Sequence, residues 1–240
     1  LSDSGQIGCW ALRDTYTDTY GLLSGVPTTG TFKQVVVGEN HICALSIEGT
    51  VSCWGINDGS SWGDDGQVTD APTSGTYTAL AASDMATCAL SSNGQVNCWG
   101  EMYGNDNRIV ATDSTIQTLT MDDSNVNYPD VCMRHTNGTI SCGKSRIPEL
   151  VQNTFMDFDI SRSWLCGITT EGQAICSDHK NNAHTYLPWN EIDANAPYSK
   201  IAIWTPDTGN SNKKTNLCTV DTNHRLRCWE TGGDYGTAYV

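Results

Sequence analysis

Ten of the eleven cysteines form five pairs ten residues apart: Cys43/Cys53, Cys88/Cys98, Cys132/Cys142, Cys166/Cys176 and Cys218/Cys228. Thiols so spaced could ligate zinc or oxidise to disulfides. Zinc knuckles use the short Cys-x-x-Cys spacing. Here each gap instead holds alternating residues around a turn signal, as in Cys43-Ala-Leu-Ser-Ile-Glu-Gly49-Thr-Val-Ser-Cys53. Such a segment is a β-hairpin. Its alternation puts Cys43, Leu45, Val51 and Cys53 on one face, with the two sulfurs opposed across the ladder. The expected chemistry is one disulfide within each hairpin, formed in an oxidising compartment, extracellular or at the cell surface.

Catalytic constellations are weak. The five histidines share no common position. His41 reads as a structural core residue bonded to backbone. His135 lies on a hairpin strand and His224 at a hairpin tip, while His179 and His184 share an irregular stretch without the His-Glu-x-x-His pattern. No nucleophile elbow, phosphate loop or dinucleotide fingerprint occurs, so the chain reads as a non-enzyme. Acidic clusters at Asn57-Asp58 with Asp64-Asp65, at Asn105-Asp106-Asn107 and at Asp122-Asp123-Ser-Asn125-Val-Asn127 offer oxygen ligands to calcium. None carries a full calcium loop, and Asx residues commonly make turns. No cofactor and no metal site are expected.

The elements that must carry these residues are short strands. Charged residues are 17% of the chain, and the 23 glycines provide many turns. A net charge of −14 argues against a phosphate-binding surface and disfavours anionic lipid, so neither nucleic acid nor membrane is an expected partner. No run approaches the roughly 18 apolar residues of a membrane span. Asn137-Gly138-Thr139 is the one strict N-glycosylation sequon, and it falls on a hairpin tip.

Aligning on the cysteines exposes a longer repeat. Gly30-Thr-Phe32 precedes Cys43 at the offset at which Gly75-Thr-Tyr77 precedes Cys88. Ile116, Phe155 and Tyr198 open comparable strands in the later units. Cys-Trp closes four units, at Trp10, Trp54, Trp99 and Trp229, and an aromatic-Gly pair such as Trp62-Gly63 follows. The second cysteines lie 44, 45, 44, 34 and 52 residues apart. Units of about 40–50 residues with several strands each are the mark of propeller blades. The stretch Val37-Gly38-Glu-Asn-His41-Ile-Cys-Ala-Leu45, Gly49-Thr-Val51-Ser-Cys-Trp54-Gly55-Ile-Asn57 and Trp62-Gly63-Asp-Asp-Gly66 resembles the regulator-of-chromosome-condensation propeller repeat. The unit around Cys132 keeps the hairpin but has Cys142-Gly143 without Trp, and the unit around Cys166 has lost Trp-Gly. The resemblance implies a β-propeller and no particular function.

The eleventh cysteine fits the same frame. Leu1-Ser-Asp-Ser-Gly5-Gln-Ile7-Gly-Cys9-Trp10 aligns with Leu45 to Trp54, so a partner for Cys9 is expected two residues before Leu1. The chain is thus read as a single propeller, 1–240, with its first blade incomplete at the N-terminus. The fold class expected is an all-β propeller of about six blades, seven being the alternative. Recurrence assigns Trp10, Trp54, Trp99, Trp229 and Trp62 to structure. Trp164, Trp189 and Trp204 fall outside the repeat and are the candidate interaction surface. The function read from these features is an extracellular structural or interaction module that assembles with copies of itself or a neighbouring chain, and Cys9 has an intermolecular or missing partner. The alternative is a secreted recognition propeller, such as an inhibitor, lectin or receptor ectodomain, binding a separate protein or glycan through its loops.

Overall fold

The structure is a computed structural model that describes residues 1–10, 18, 20–59, 63–101, 109–122, 130–143, 153–161, 164–178, 197–204, 215–231 and 238–239. Among these there is no helix, and the strands form five small sheets. The first holds β1 (Phe32–Val37), β2 (His41–Ser46) and β3 (Val51–Gly55). The second holds β4 (Tyr77–Ala82), β5 (Ala86–Ser91), β6 (Gln95–Gly100) and β7 (Ile109–Thr112). The third holds β8 (Ile116–Met121), β9 (Val131–His135) and β10 (Ile140–Cys142). The fourth holds β11 (Phe155–Ser161), β12 (Trp164–Thr169) and β13 (Ala174–Asp178). The fifth holds β14 (Tyr198–Trp204), β15 (Thr215–Asp221), β16 (Leu226–Thr231) and β17 (Ala238–Tyr239). Neighbouring strands follow chain order in every sheet. The chain divides into two compact units, one essentially Leu1–Leu119 and the other Asp130–Val240, with the division inside β8.

In all five sheets the two cysteines are direct cross-strand partners. Disulfides join Cys43 to Cys53, Cys88 to Cys98, Cys132 to Cys142, Cys166 to Cys176 and Cys218 to Cys228, with Cα atoms 4.0–4.1 Å apart. That spacing is the close approach of a non-hydrogen-bonded antiparallel pair, so strand geometry alone brings the sulfurs together. Each bridge closes a ten-residue separation. Cys53→Ser is therefore expected to lower stability by about 2–3 kcal/mol on the chain-entropy model and to leave the β circular-dichroism spectrum intact. A thermal melt with and without the substitution checks this. Complete unfolding at room temperature would mean that this pair holds more than a hairpin.

Hairpin tips join one repeat unit to the next. Gly5, Gly49, Gly138 and Gly172 adopt positive φ. Their carbonyls accept the N–H of Phe32, Tyr77, Phe155 and Tyr198 at 2.7–3.0 Å. Each of these aromatics opens the first strand of the following sheet. Directly after it the pairing register shifts, at Phe32/Gln34, Tyr77/Ala79, Phe155/Asp157 and Tyr198/Lys200. Such a bulge bends the strand and re-aims its side chains. Gln34 uses the bend to mimic a strand. Its amide accepts Leu80 N–H at 2.8 Å and donates to Leu80 O at 2.7 Å. Asp157 and Asp159 do the same in the second unit, accepting the N–H groups of Ile201 and Ile203 at 3.0 Å.

The core lies between sheets and follows one rule. The cysteine-bearing face of one hairpin packs on the opposite face of the next sheet, where an aromatic opens the first strand. Cys43 and Leu45 meet Tyr77, Leu80 and Trp99. Cys132 and Ile140 meet Phe155, Phe158 and Ile160. Cys166, Cys176 and Ile168 meet Tyr198, Ile201 and Trp229. Ile7 and Cys9 meet Phe32, Ile42 and Trp54. Residues 1–10 therefore occupy the place of a hairpin's second half against the first sheet.

Candidate interaction surface

The sulfur chemistry is spent inside the fold. Cys43, Cys88, Cys132 and Cys166 are fully buried. Of their partners, Cys98 and Cys176 are buried as well, while Cys53 and Cys142 are half-buried. These cysteines are thus structural staples and offer no thiol to a ligand. Among the described residues Cys9 is the free thiol, half-buried against the first sheet.

Histidines are equally committed. His41 is buried, and its Nε2 lies 2.7 Å from Thr87 Oγ1, whose own neighbour is Cys43 Sγ at 3.7 Å. Its Nδ1 has no hydrogen-bond partner. Burial holds the imidazole pKa down at about 4, so the ring is neutral at ordinary pH. The residue is structural, but its partner is the Thr87 hydroxyl and not the backbone. His135 Nε2 contacts Ser141 Oγ at 2.7 Å across its hairpin. His179 and His184 lie outside the described residues.

Of the described acidic candidates, Asp64 organises a turn. Asp64 accepts Gly59 N–H at 2.7 Å and Gly66 N–H at 3.4 Å. Asp122 is buried at the end of β8. Asn105, Asp106, Asn107, Asp123, Asn125 and Asn127 lie outside the described residues. Among the described residues no three His, Cys, Asp or Glu side chains gather as metal ligands.

Tryptophans divide differently from the sequence expectation. Trp54, Trp99 and Trp229 are buried between sheets as their recurrence required. The indole N–H groups of Trp54 and Trp99 donate to Leu22 O and Gln67 O at 3.0 and 2.8 Å. Trp10 holds the same repeat position but is 78% exposed. The core role expected of Trp10 from its recurrence does not hold at this exposure. Trp204 is 56% exposed at the end of β14 and remains a surface candidate. Trp164 starts β12, pairs with Asp178 and is half-buried against the Tyr198 cluster. Trp62 and Trp189 lie outside the described residues. Asn137 is exposed at its hairpin tip, and its Oδ1 accepts Thr139 N–H at 3.0 Å and the Thr139 hydroxyl at 2.7 Å.

One surface escaped the sequence reading. The last hairpin, β15–β16, has the cysteine-bearing face of the others, but Cys218, Val220 and Cys228 are only half-buried and Leu226 is 64% exposed. Its counterparts Val96 and Ile140 are buried. The tip departs as well. His224 stands at φ 61° where the other hairpins have glycine. Asp221 organises that turn by accepting the N–H groups of Asn223 and Arg225 at 2.8 and 2.9 Å. Those bonds, Arg225 first, hold its carboxyl below the usual range. The signal was legible in principle, since position 224 is the one tip in the cysteine alignment that is not glycine.

Residues 32–67 match the family model described as the Regulator of chromosome condensation (RCC1) repeat. No curated protein matches the sequence. Among solved structures, the entire ectodomain of the Physcomitrella patens receptor kinase CR4 superposes with a TM-score of 0.61 at 20% identity, covering 97% of this chain and 58% of that one. The chain thus spans little more than half of that ectodomain. The CRINKLY WD40 ectodomain of the Arabidopsis thaliana receptor kinase ACR4 gives 0.61 at 18% identity, covering 95% and 73%. Yeast RCC1 (Prp20), in its complex with Kap60, gives 0.52 at 16% identity, covering 83% and 56%. At these identities the likeness is one of fold. The chain carries a regulator-of-chromosome-condensation repeat and its fold class is the all-β propeller, with five stapled sheets among the described residues.

Proposed function

We propose that this protein is a non-enzymatic extracellular interaction propeller whose partner is protein, either copies of itself or a neighbouring chain. The observation that carries the reading is the set of five intrahairpin disulfides on a chain long enough to fold without them. Such reinforcement belongs outside the reducing cytosol. Supporting it, the large apolar side chains exposed among the described residues include Trp10, Trp204 and Leu226, of the kind that contact surfaces use. The two plant ectodomain neighbours add an analogy of fold.

The test has two arms. Native mass of the oxidised chain is followed over a wide concentration range. Binding to intact cells is measured before and after protease or glycosidase treatment. Association with itself, or cell binding that protease removes, supports the reading. Binding lost only to glycosidase moves it to the alternative of a glycan-recognising propeller, which exposed Trp204 would serve. Neither association nor binding overturns it. EDTA is expected to leave the binding unchanged within about twofold. If chelation abolishes it, the acidic loops are calcium sites.

A further inference from the structure

Asn137, Gly138 and Thr139 form the tip between β9 and β10. Gly138 is the docked side of that tip. It is buried at φ 81°, its carbonyl accepts Phe155 N–H at 2.7 Å, and a Cβ there would lie 3.0 Å from Thr154 Cβ. Asn137 is the free side. It is exposed, and its side-chain hydrogen bonds reach no further than two residues along the chain. Those bonds fix which way the amide faces. Thr139 N–H can only donate, so the atom 3.0 Å from it is Oδ1. The Thr139 hydroxyl donates to the same oxygen at 2.7 Å. Nδ2 is left without a hydrogen-bond partner among the described residues, on an exposed side chain.

We propose that Asn137 is the acceptor of an N-linked glycan, and that an exposed tip amide followed two positions on by a hydroxyl is what makes it one. The donor class is a lipid-linked diphosphate oligosaccharide. Nδ2 forms a bond to the anomeric carbon of the first sugar as the bond from that carbon to the diphosphate oxygen breaks. The diphosphate leaves with the electron pair, and Nδ2 releases one proton to solvent. The proposal rests on the extracellular reading above and goes beyond it, naming the residue and the group it carries. The fold tolerates that group. A glycan is bulky and solvated, and at Asn137 it displaces no bond to another sheet. One residue further on it would drive into Thr154 and Phe155. The tip between β5 and β6 gives an internal comparison. Asn93 precedes Gly94 as Asn137 precedes Gly138, is exposed, and accepts Gln95 N–H on Oδ1 at 3.2 Å. Residue 95 is Gln, so the hydroxyl of the acceptor pattern is missing there. Glu48 and Glu171 hold the same place at two other tips and have no amide, and Asn223 has Arg225 two positions on.

The 240-residue chain is secreted from eukaryotic cells behind a cleavable leader, and its intact mass is compared before and after peptide N-glycosidase. Release is run in heavy-oxygen water, because it turns the carrier asparagine into a labelled aspartate, whereas an Asn-Gly pair that has already deamidated takes no label. Wild type is expected to lose one glycan, with the label at position 137. Asn137→Gln and Thr139→Ala are expected to be secreted without it, and Thr139→Ser to keep it. Gln95→Thr is expected to carry a second glycan, at Asn93. Non-reduced peptide mapping checks the five disulfides in each protein. Should Asn137→Gln misfold, the two Thr139 variants decide. A wild type secreted with its disulfides but bare, from cells that glycosylate their own secreted proteins, overturns the proposal and leaves the extracellular reading standing. A glycan that survives Thr139→Ala overturns it as well. A Gln95→Thr chain with no second glycan overturns the tip requirement. Secreted wild type in which the disulfides fail to form removes the extracellular reading, and the proposal falls with it.

Discussion

Gly94→Ala is expected to destabilise the unit that contains it by about 3 kcal/mol or more, which a urea titration followed by tryptophan fluorescence would read. Gly94 sits at φ 85°, where an L side chain costs roughly 1–2 kcal/mol. A methyl group there would lie 2.7 Å from both the carbonyl carbon and oxygen of Asp113 and 2.8 Å from Ser114 Cα. All three atoms are backbone, so no rotamer change relieves the contact, and overpacking of this kind costs roughly 1–3 kcal/mol more. Opening the gap would stretch the bond from Asp113 N–H to Gly94 O, now 3.0 Å. His224→Gly is the internal control. It occupies the same hairpin position at φ 61°, but it is exposed. Relief of the positive φ and the added freedom of the unfolded chain nearly cancel, so stability is expected to stay within about 1 kcal/mol of wild type. A Gly94→Ala cost below about 1 kcal/mol would show that tip docking is looser than the geometry states.

The contrast between these two tips marks how far the sequence can be read. Hairpins, their disulfides and the alternation that buries Leu45 and Cys43 were legible, because each depends on residues within about ten positions of one another. The same local rule placed Cys98 opposite Cys88 and Cys176 opposite Cys166, but it did not show that both would be buried. That burial depends on what packs over the hairpin. The propeller class was legible because the local pattern recurs. The bulge after Phe32, Tyr77, Phe155 and Tyr198 was not, since it is a property of the register between two strands and leaves no fixed residue type behind. Neither were the bonds of Gln34 to Leu80 or of Asp159 to Ile203, which join residues 46 and 44 positions apart. Trp204 was found as a surface residue by its absence from the repeat, whereas Trp164, chosen on the same ground, is half-buried by the sheet that follows it. Trp10 shows the converse. Its type and position matched the buried tryptophans, and its exposure follows from what packs over it, which no local pattern records.

Stability is expected to fall by about 3 kcal/mol as pH drops from about 6.5 to about 4, through His41 alone. Its folded pKa is held at about 4 against 6.5 for an ordinary imidazole because burial penalises the cation. Between those values the unfolded chain binds a proton that the folded chain refuses. Stability therefore rises with pH across this window, is complete above about 6.5 and has been lost below about 4, at most 1.4 kcal/mol per pH unit. The packing explains why the ring cannot move to take the proton. Nε2 is held by Thr87 Oγ1 at 2.7 Å, and a Cβ on Gly38 would already lie 2.5 Å from Nδ1, so a side chain at position 38 would collide with the ring. The second proton would go to a buried nitrogen without an acceptor. His41→Gln keeps a polar group near Thr87 and removes the titration. Comparing urea midpoints of wild type and His41→Gln at about pH 4.5 and about pH 7.5 isolates the effect, because the carboxylates contribute equally to both proteins. The variant is expected to be less stable at the higher pH and to lose clearly less than wild type on acidification. Parallel losses in the two proteins would show that His41 already carries its proton in the folded state, or that the unit opens locally to admit it.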